Sequence, residues 1–152
     1  MDNTQYLMDI DAIKTLKHKY SYGANIIDGK SGDLDQFAAL FADDAVFNVG
    51  MGVANGPAEI KAMIQELTTQ WHAAMHYMIN PVIELDGDTA KATFTGLFAF
   101  IKAPGSSAIW LSNIYNDTFV RTAAGWRFQS VLVSTMAFAE PAFLEGYADH
   151  LQ

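Results

Sequence analysis

The chain has 152 residues, of which 51% are apolar and 17% charged, and it contains no cysteine. This length predicts one compact domain, and the lack of cysteine excludes disulfides, thiolate metal sites and cysteine nucleophiles. The net charge of -8 opposes binding to nucleic acid. Because the N-terminus is polar and acidic and no apolar run approaches the roughly 20 residues of a membrane span, we expect a cytoplasmic protein that does not contact a membrane.

Three helices are predicted in the first half of the chain. Apolar residues recur at steps of three and four over residues 4–28, which is the period of one helical face and indicates a long first helix. A short second helix follows Asp33, which is a suitable N-cap, and Asp43 and Asp44 are expected to end it. Pro57 marks the start of a third helix, because the first helical position needs no amide hydrogen.

Strands dominate the second half. A short strand is predicted over residues 45–49, and four longer strands follow the third helix, at residues 75–85, 89–102, 107–121 and 126–138. The connections between the long strands are short and rich in turn-forming residues, so neighbouring strands are expected to be antiparallel. This order predicts a single α+β domain with helices on one face of a curled sheet.

The second long strand carries apolar residues on both of its faces. One face is expected to pack against the helices, and the other requires a further cover, for which a second copy of the chain is the simplest candidate. Residues 139–152 form a C-terminal tail with several aromatic and aliphatic residues, and we expect it to cap a cavity or to reach a neighbouring subunit.

Two residues stand out as candidates for chemistry. Asp28 falls at the edge of the buried face of the predicted first helix, and His76 lies in an apolar stretch at the start of the first long strand. A carboxylate beside a half-buried imidazole orients the ring and stabilises the imidazolium, which is the arrangement of a general base. The alternatives are that Asp28, followed by Gly29, simply ends a helix, and that His76 is a satisfied core residue.

Other candidate sites carry weaker signals. His72 and His76 are four residues apart, but this segment is leaving a helix and no third ligand is evident, so no metal is predicted. No nucleotide-binding or nucleophilic serine motif occurs in a usable context, and no cofactor is expected. The amphipathic or polar residues predicted to line a substrate cavity are Tyr20, Asn25, Trp110, Asn113, Tyr115 and Arg121.

Four segments carry a resemblance to a known family: residues 12–16, 32–47, 56–60 and 125–128. They are similar to the SnoaL-like branch of the nuclear transport factor 2-like superfamily, and the resemblance extends over about residues 9–138. It implies a cone-shaped α+β barrel, in which a curved and mostly antiparallel sheet wraps around the long first helix and encloses an apolar pocket. It also implies assembly into dimers or trimers.

Within that superfamily, the residues around Asp28 and His76 most resemble the cofactor-free lyases related to hexachlorocyclohexane dehydrochlorinase, scytalone dehydratase and bile acid dehydratase. Those enzymes use a His-Asp pair, so the resemblance implies that His76 removes a proton from carbon and that Asp28 orients it. The arginine that assists the leaving group in the dehydrochlorinase has no secure counterpart, since Arg121 and Thr122 match its place equally well.

These observations predict a dehydratase, dehydrohalogenase or isomerase that acts on a small, apolar molecule, cyclic molecules included. Two alternatives stay open. The first is a pocket of the same fold that binds an apolar ligand or serves in assembly without catalysis, because one fold hosts unrelated functions. The second is cyclisation of a polyketide-like substrate, which the same base would initiate.

Overall fold

The computed structural model describes the backbone of residues 2–139 and the side chains of residues 2–134. Its helices are α1 (Asn3–Ala24), α2 (Leu34–Ala38) and α3 (Gly56–Thr68). Its strands are β1 (Ile26–Ile27), β2 (Lys30–Ser31), β3 (Phe41–Asn48), β4 (Val53–Asn55), β5 (Ala73–Asp86), β6 (Thr89–Ile101), β7 (Ile109–Thr122) and β8 (Gly125–Ala139). None of the described helices is long and apolar enough to cross a membrane. Residues 139–152 are predicted to form a cap, but apart from the backbone of Ala139, the last residue of β8, they lie outside the described residues.

The sheet confirms the predicted α+β architecture. Eight strands follow the order β2-β1-β5-β6-β7-β8-β3-β4, and β5 to β8 form the expected antiparallel meander. Only the pairing of β3 with β8 is parallel among the described strands. Long strands have a strong right-handed twist, and the sheet therefore curls around the buried face of α1 into a cone.

The first helix ends one turn earlier than predicted. Asn25 is its C-cap residue, with extended backbone angles, and a small hairpin of β1 and β2 follows. Asp28 and Gly29 form the two-residue turn of this hairpin and both have positive φ, 51° and 72°. Asp-Gly is a preferred pair for such turns, because both positions tolerate left-handed backbone conformations. The prediction of a helix reaching Asp28 was therefore wrong.

The third strand begins earlier than predicted. β3 starts at Phe41, so Asp43 and Asp44 lie within a strand and do not end α2. An irregularity in the pairing of β3 with β8 falls between Phe41 and Val46, and both aspartates are exposed there. A β-bulge leaves residues outside the hydrogen-bonded ladder of the sheet. Asp43 and Asp44 therefore interrupt the apolar pattern of β3 without ending the strand.

The outer face of the sheet carries several exposed apolar side chains. Tyr77 and Leu97 are cross-strand partners on β5 and β6, with 45% and 36% of their surface exposed, and Val82 is 64% exposed. Contiguous apolar surface of this kind is typical of an association face. Coverage of this face by a second copy of the chain, as a dimer or trimer, stays a prediction.

Candidate functional site

A largely apolar cavity of about 390 Å³ opens at one end of the cone, between α1, α3 and the inner face of the sheet. Such a volume is at the small end of the range for ligand pockets. Aromatic and aliphatic side chains form most of its wall. The polar residues that reach the wall are Tyr20, Thr68, His76, Asn113 and Tyr115.

His76 lies on β5 with its ring in the cavity wall, held by Asn25. The side-chain oxygen Oδ1 of Asn25 lies 2.7 Å from the backbone nitrogen of His76 and 3.2 Å from ring atom Nδ1. An amide oxygen only accepts hydrogen bonds, so Nδ1 carries the proton and Nε2 has the free lone pair. This is the tautomer that a general base facing the cavity requires.

The surroundings of His76 keep the imidazole neutral. Phe98 and Phe100 contact it edge-to-face, with ring centroids 5.0 and 5.8 Å away. Burial, together with the cation of Lys17, lowers the pKa of His76 to about 4. Because Asn25 is uncharged, it orients the ring without offsetting the positive charge of an imidazolium. His76 is therefore a neutral imidazole of low basicity, oriented by Asn25.

The backbone connections explain why Asn25, and not Asp28, reaches His76. Ile26 pairs with Ala74 at the edge of the sheet, which brings the preceding Asn25 against β5. The hairpin turn then carries the Asp28 side chain outward, where it is 82% exposed and lies 3.6 Å from Nε2 of His72. The expected contact between Asp28 and His76 is corrected accordingly: the ring partner of His76 is Asn25, which the sequence interpretation had assigned to the substrate.

Tyr20 and Tyr115 form the deep wall of the cavity. Their ring centroids are 5.9 Å apart in an edge-to-face arrangement, and burial raises the pKa of both phenols. The two hydroxyls also hydrogen-bond to each other. Gly96 makes room for this wall, because a Cβ atom there would come within 2.8 Å of the Tyr115 ring and 2.6 Å of Phe98.

Asn113 lies on β7 two residues before Tyr115, and both side chains point inward because alternate residues of a strand share a face. The Asn113 side chain is part of the cavity wall, and only 6% of the residue is exposed. Its oxygen Oδ1 is buried without a hydrogen-bond partner. Unsatisfied buried acceptors are rare in proteins and call for an explanation.

A buried ion pair behind the cavity wall was not predicted from the sequence. Nζ of Lys17 lies 2.7 Å from Oδ2 of Asp117, and neither side chain is exposed. The ammonium also lies 3.6 Å from the ring centroid of Tyr115 and 4.4 Å from that of Tyr20. Burial lowers the pKa of Lys17 and raises that of Asp117.

Two residues predicted to contact substrate lie elsewhere. Arg121 binds both carboxylate oxygens of Asp9, at 2.7 and 2.6 Å, and also pairs with Asp88. This network holds the pKa of Asp9 well below its usual range, and it ties α1 to the sheet away from the cavity. Trp110 is also not among the cavity-lining residues of the described chain. Among the described residues, Tyr20, Asn113 and Tyr115 line the cavity, and Arg121 and Trp110 do not.

No group of three or more histidine, aspartate or glutamate side chains is arranged to hold a metal ion within the described residues. His72 and His76, considered as a metal pair in the sequence, have different partners. The first lies near Asp28 and the second contacts Asn25.

Comparison with known proteins agrees with this architecture. The fold and pocket define a cone-shaped α+β domain of the nuclear transport factor 2-like class. The SnoaL-like domain matches residues 5–131, and the chain therefore belongs to the SnoaL-like domain family. A comparison with curated protein sequences gives no match.

Solved structures with this fold include several lyases. LinA superimposes with a TM-score of 0.82 at 21% identity, covering 93% of this chain and 95% of LinA. A scytalone dehydratase-like protein from Novosphingobium aromaticivorans gives 0.78 at 20% identity, covering 91% of each chain. A nuclear transport factor 2-like protein from the same organism, described as having a cystatin-like fold, gives 0.70 at 25% identity, covering 91% of this chain and 88% of that one.

Proposed function

We propose that this protein is a cofactor-independent lyase or isomerase, in which His76 removes a proton from carbon in a small, largely apolar substrate. The observation that carries the proposal is the Asn25–His76 contact, since the amide oxygen at 3.2 Å from Nδ1 leaves Nε2 as the proton acceptor. The similarity to LinA and to the scytalone dehydratase-like protein supports the same class of reaction.

The weak basicity of His76 restricts the substrate. With a pKa of about 4, the imidazole matches a carbon acid that is itself activated, as by a neighbouring carbonyl group. The negative charge that develops on that carbonyl oxygen needs a hydrogen-bond donor. The hydrogen-bonded pair of Tyr20 and Tyr115 keeps one hydroxyl proton that is suited to this role. The largely apolar wall positions the rest of the molecule and excludes water.

Three related substrates test the proposal because they converge on one product. Elimination of water from 3-hydroxycyclohexanone, elimination of hydrogen chloride from 3-chlorocyclohexanone and isomerisation of 3-cyclohexenone all yield 2-cyclohexenone, which is followed by its ultraviolet absorption. We expect turnover of at least one, and His76→Gln should reduce it by about 10²- to 10⁴-fold. The matched control is His72→Gln, which changes a nearby histidine outside the cavity wall and should retain activity.

A second candidate is an apolar-ligand binding protein without catalysis. The neutral partner and low pKa of His76 favour it, because a structural imidazole needs neither charge nor basicity. Under this alternative no product forms from any of the three ketones, and His76→Gln leaves ligand affinity unchanged.

The role of His76 as the base has its own test. Retained turnover in His76→Gln, on a substrate that the unchanged protein converts, would contradict that role.

A further inference from the structure

We propose that Met51, on the turn between β3 and β4, covers the mouth of the cavity, and that ligands enter and leave past its side chain. Met51 thereby determines how fast a bound molecule exchanges with the solvent. Access to the cavity is separate from the proposed reaction, because a ligand must enter whether it is converted or only held.

The exposure of the wall residues locates the mouth. Among the described residues that line the cavity, only Gly50 and Met51 are exposed, and the others are buried or half-buried. Met51 has 64% of its surface exposed although it forms part of the wall. A side chain that contacts both the cavity and the solvent lies at the boundary between them. The cavity therefore opens beside this turn.

Two glycines flank Met51 and set the conformation of the turn. Asn48 and Val53 form the last residue pair before the turn, so residues 49–52 connect the two strands. Gly50 and Gly52 have φ angles of 82° and 136°, which residues with a side chain rarely adopt. Because glycine changes between backbone conformations at low cost, Met51 is carried on a segment that is able to move.

The two ends of the turn have different surroundings. A Cβ atom at Gly50 would meet nothing within 4 Å, whereas one at Gly52 would lie 3.3 Å from Cε of Met63 on α3. The Gly52 end thus rests against a helix, while the Gly50 end faces open space. Of the two ends, Gly50 is therefore the one with room to move.

Methionine is well suited to cover an opening of this kind. Its side chain is unbranched and flexible, and its apolar end extends the apolar wall of the cavity. Other parts of the wall are less movable. Phe47 and Tyr115 are 0% and 3% exposed and lie on long strands, and displacement of a closely packed ring disturbs its neighbours. Movement of Met51 therefore opens the cavity at less cost than movement of either ring.

The rates of binding distinguish a cover from an ordinary contact. If Met51 must move before a ligand passes, a shorter side chain speeds entry and exit together and leaves Kd nearly unchanged, because both directions cross the same barrier. If Met51 is only a contact in the wall, a shorter side chain raises the dissociation rate and leaves the association rate as it was.

One variant provides three sizes of cover, because the chain contains no cysteine. Met51→Cys shortens the side chain. Methyl methanethiosulfonate then converts the new thiol into a methyl disulfide with nearly the length and shape of methionine, and benzyl methanethiosulfonate makes the side chain larger. The matched control is Met8→Cys, treated in the same way, since Met8 is 61% exposed but lies on α1 outside the cavity wall.

The probe is N-phenyl-1-naphthylamine, a neutral dye that fluoresces in apolar surroundings, and stopped-flow fluorescence measures its rates of binding and release. We expect Met51→Cys to raise both rate constants by about 3- to 30-fold, with Kd within about threefold of its original value. The methyl disulfide should return both rates to those of the unchanged protein, and the benzyl disulfide should lower both below them. All forms of Met8→Cys should bind the dye like the unchanged protein.

Two kinds of result would overturn the proposal. The first is a change in the dissociation rate alone, or equal rates in the three forms of Met51→Cys. The second is a dye that does not enter the cavity. Excitation of tryptophan reports on entry, because Trp71 lies in the wall and energy transfer to the bound dye should fall in Trp71→Phe. No binding, or undiminished transfer in that variant, would show that the cavity does not admit this apolar molecule.

Gly50→Ala tests the turn independently of the side chain at position 51. The φ angle of Gly50 disfavours alanine, so the turn should leave its covering conformation more often and both rates should rise by about 3- to 10-fold. Gly29→Ala is the matched control, because Gly29 has a φ of 72° and equally open surroundings but does not line the cavity. Equal rates in the two variants would contradict a role for the turn.

Turnover separates this proposal from the proposed function. If the exchange rates of the dye follow the size of the cover but no ketone is converted, the proposed reaction fails and the role of Met51 stands. If a ketone is converted and the exchange rates do not depend on the cover, the reaction stands and the role of Met51 fails.

Discussion

Asn25 and His76 are joined by two contacts from one oxygen atom, which lies 2.7 Å from the backbone nitrogen and 3.2 Å from Nδ1 of the ring. The first contact anchors the end of α1 to β5, and the second fixes the tautomer of the imidazole ring. The resemblance to the lyases implies a carboxylate as the partner of the histidine, and the amide of Asn25 occupies that place here. The Asn25 amide contacts the ring, as a carboxylate would, but it carries no charge.

Replacement of Asn25 by aspartate should restore that charge. In Asn25→Asp the carboxylate stabilises the imidazolium, so the pKa of His76 should rise from about 4 by one unit or more. Under the proposed function the ring accepts a proton and acts when unprotonated, so the acid limb of the pH-rate profile should move to higher pH by the same amount. NMR titration of the histidines, with His76 assigned by its loss in His76→Gln, measures the shift. An unchanged or lower pKa would show that the two side chains are not in contact in solution.

Asp28 supplies the matched comparison for that experiment. Its side chain is 82% exposed and lies beside His72, so Asp28→Asn should leave the pKa of His76 unchanged within about 0.2 units, since solvent screens exposed charges. The same NMR titration measures it. A fall of one unit or more in Asp28→Asn would instead support the pairing of Asp28 with His76 that the sequence predicted.

Periodicity predicted the fold well, because residue spacing reports directly on which face of an element is buried. It did not predict where α1 ends, since Asn25 and Asp28 are both polar and are separated by less than one helical turn. The deciding features were the positive φ angles of Asp28 and Gly29 and the pairing of Ile26 with Ala74. The Asp-Gly pair in the sequence indicates a turn, but nothing in the sequence indicates that Ile26 pairs with Ala74.

The spacing of residues in α1 does indicate that Lys17 is buried. It lies four residues after Ile13 and three before Tyr20, which places it on the buried stripe of α1. A lysine there requires a buried partner, but Asp117 is 100 residues further along the chain. Spacing within a helix indicates that a charge is buried, whereas the identity of its partner depends on how the sheet curls around the helix.

Gly96 should be intolerant of any side chain. In Gly96→Ala the new Cβ atom would lie within 2.8 Å of ring atoms of both Phe98 and Tyr115, and overpacking of this kind typically costs about 1–3 kcal/mol. Urea denaturation measures the free energy of unfolding. Gly32→Ala, where a Cβ atom meets nothing closer than 3.9 Å, is the control, and an equal loss in both variants would contradict a specific role for Gly96.

The buried pair of Lys17 and Asp117 should show strong energetic coupling. Lys17→Met leaves the Asp117 carboxyl buried without its partner and should lower the free energy of unfolding by about 3–5 kcal/mol. The double variant Lys17→Met/Asp117→Leu removes both charges and should lose less than the single one, because no unpaired group remains.

An exposed ion pair is the control for the comparison of Lys17→Met with the double variant. Lys61 and Asp35 form an ion pair in which the side chains are 38% and 83% exposed, and Lys61→Met should cost less than about 1 kcal/mol. Urea denaturation of all four proteins gives the comparison. Removing the Lys17 cation also removes one cause of the lowered pKa of His76, so that pKa should rise in the double variant. A double variant less stable than Lys17→Met, or a fall in the pKa of His76, would contradict this account of the pair.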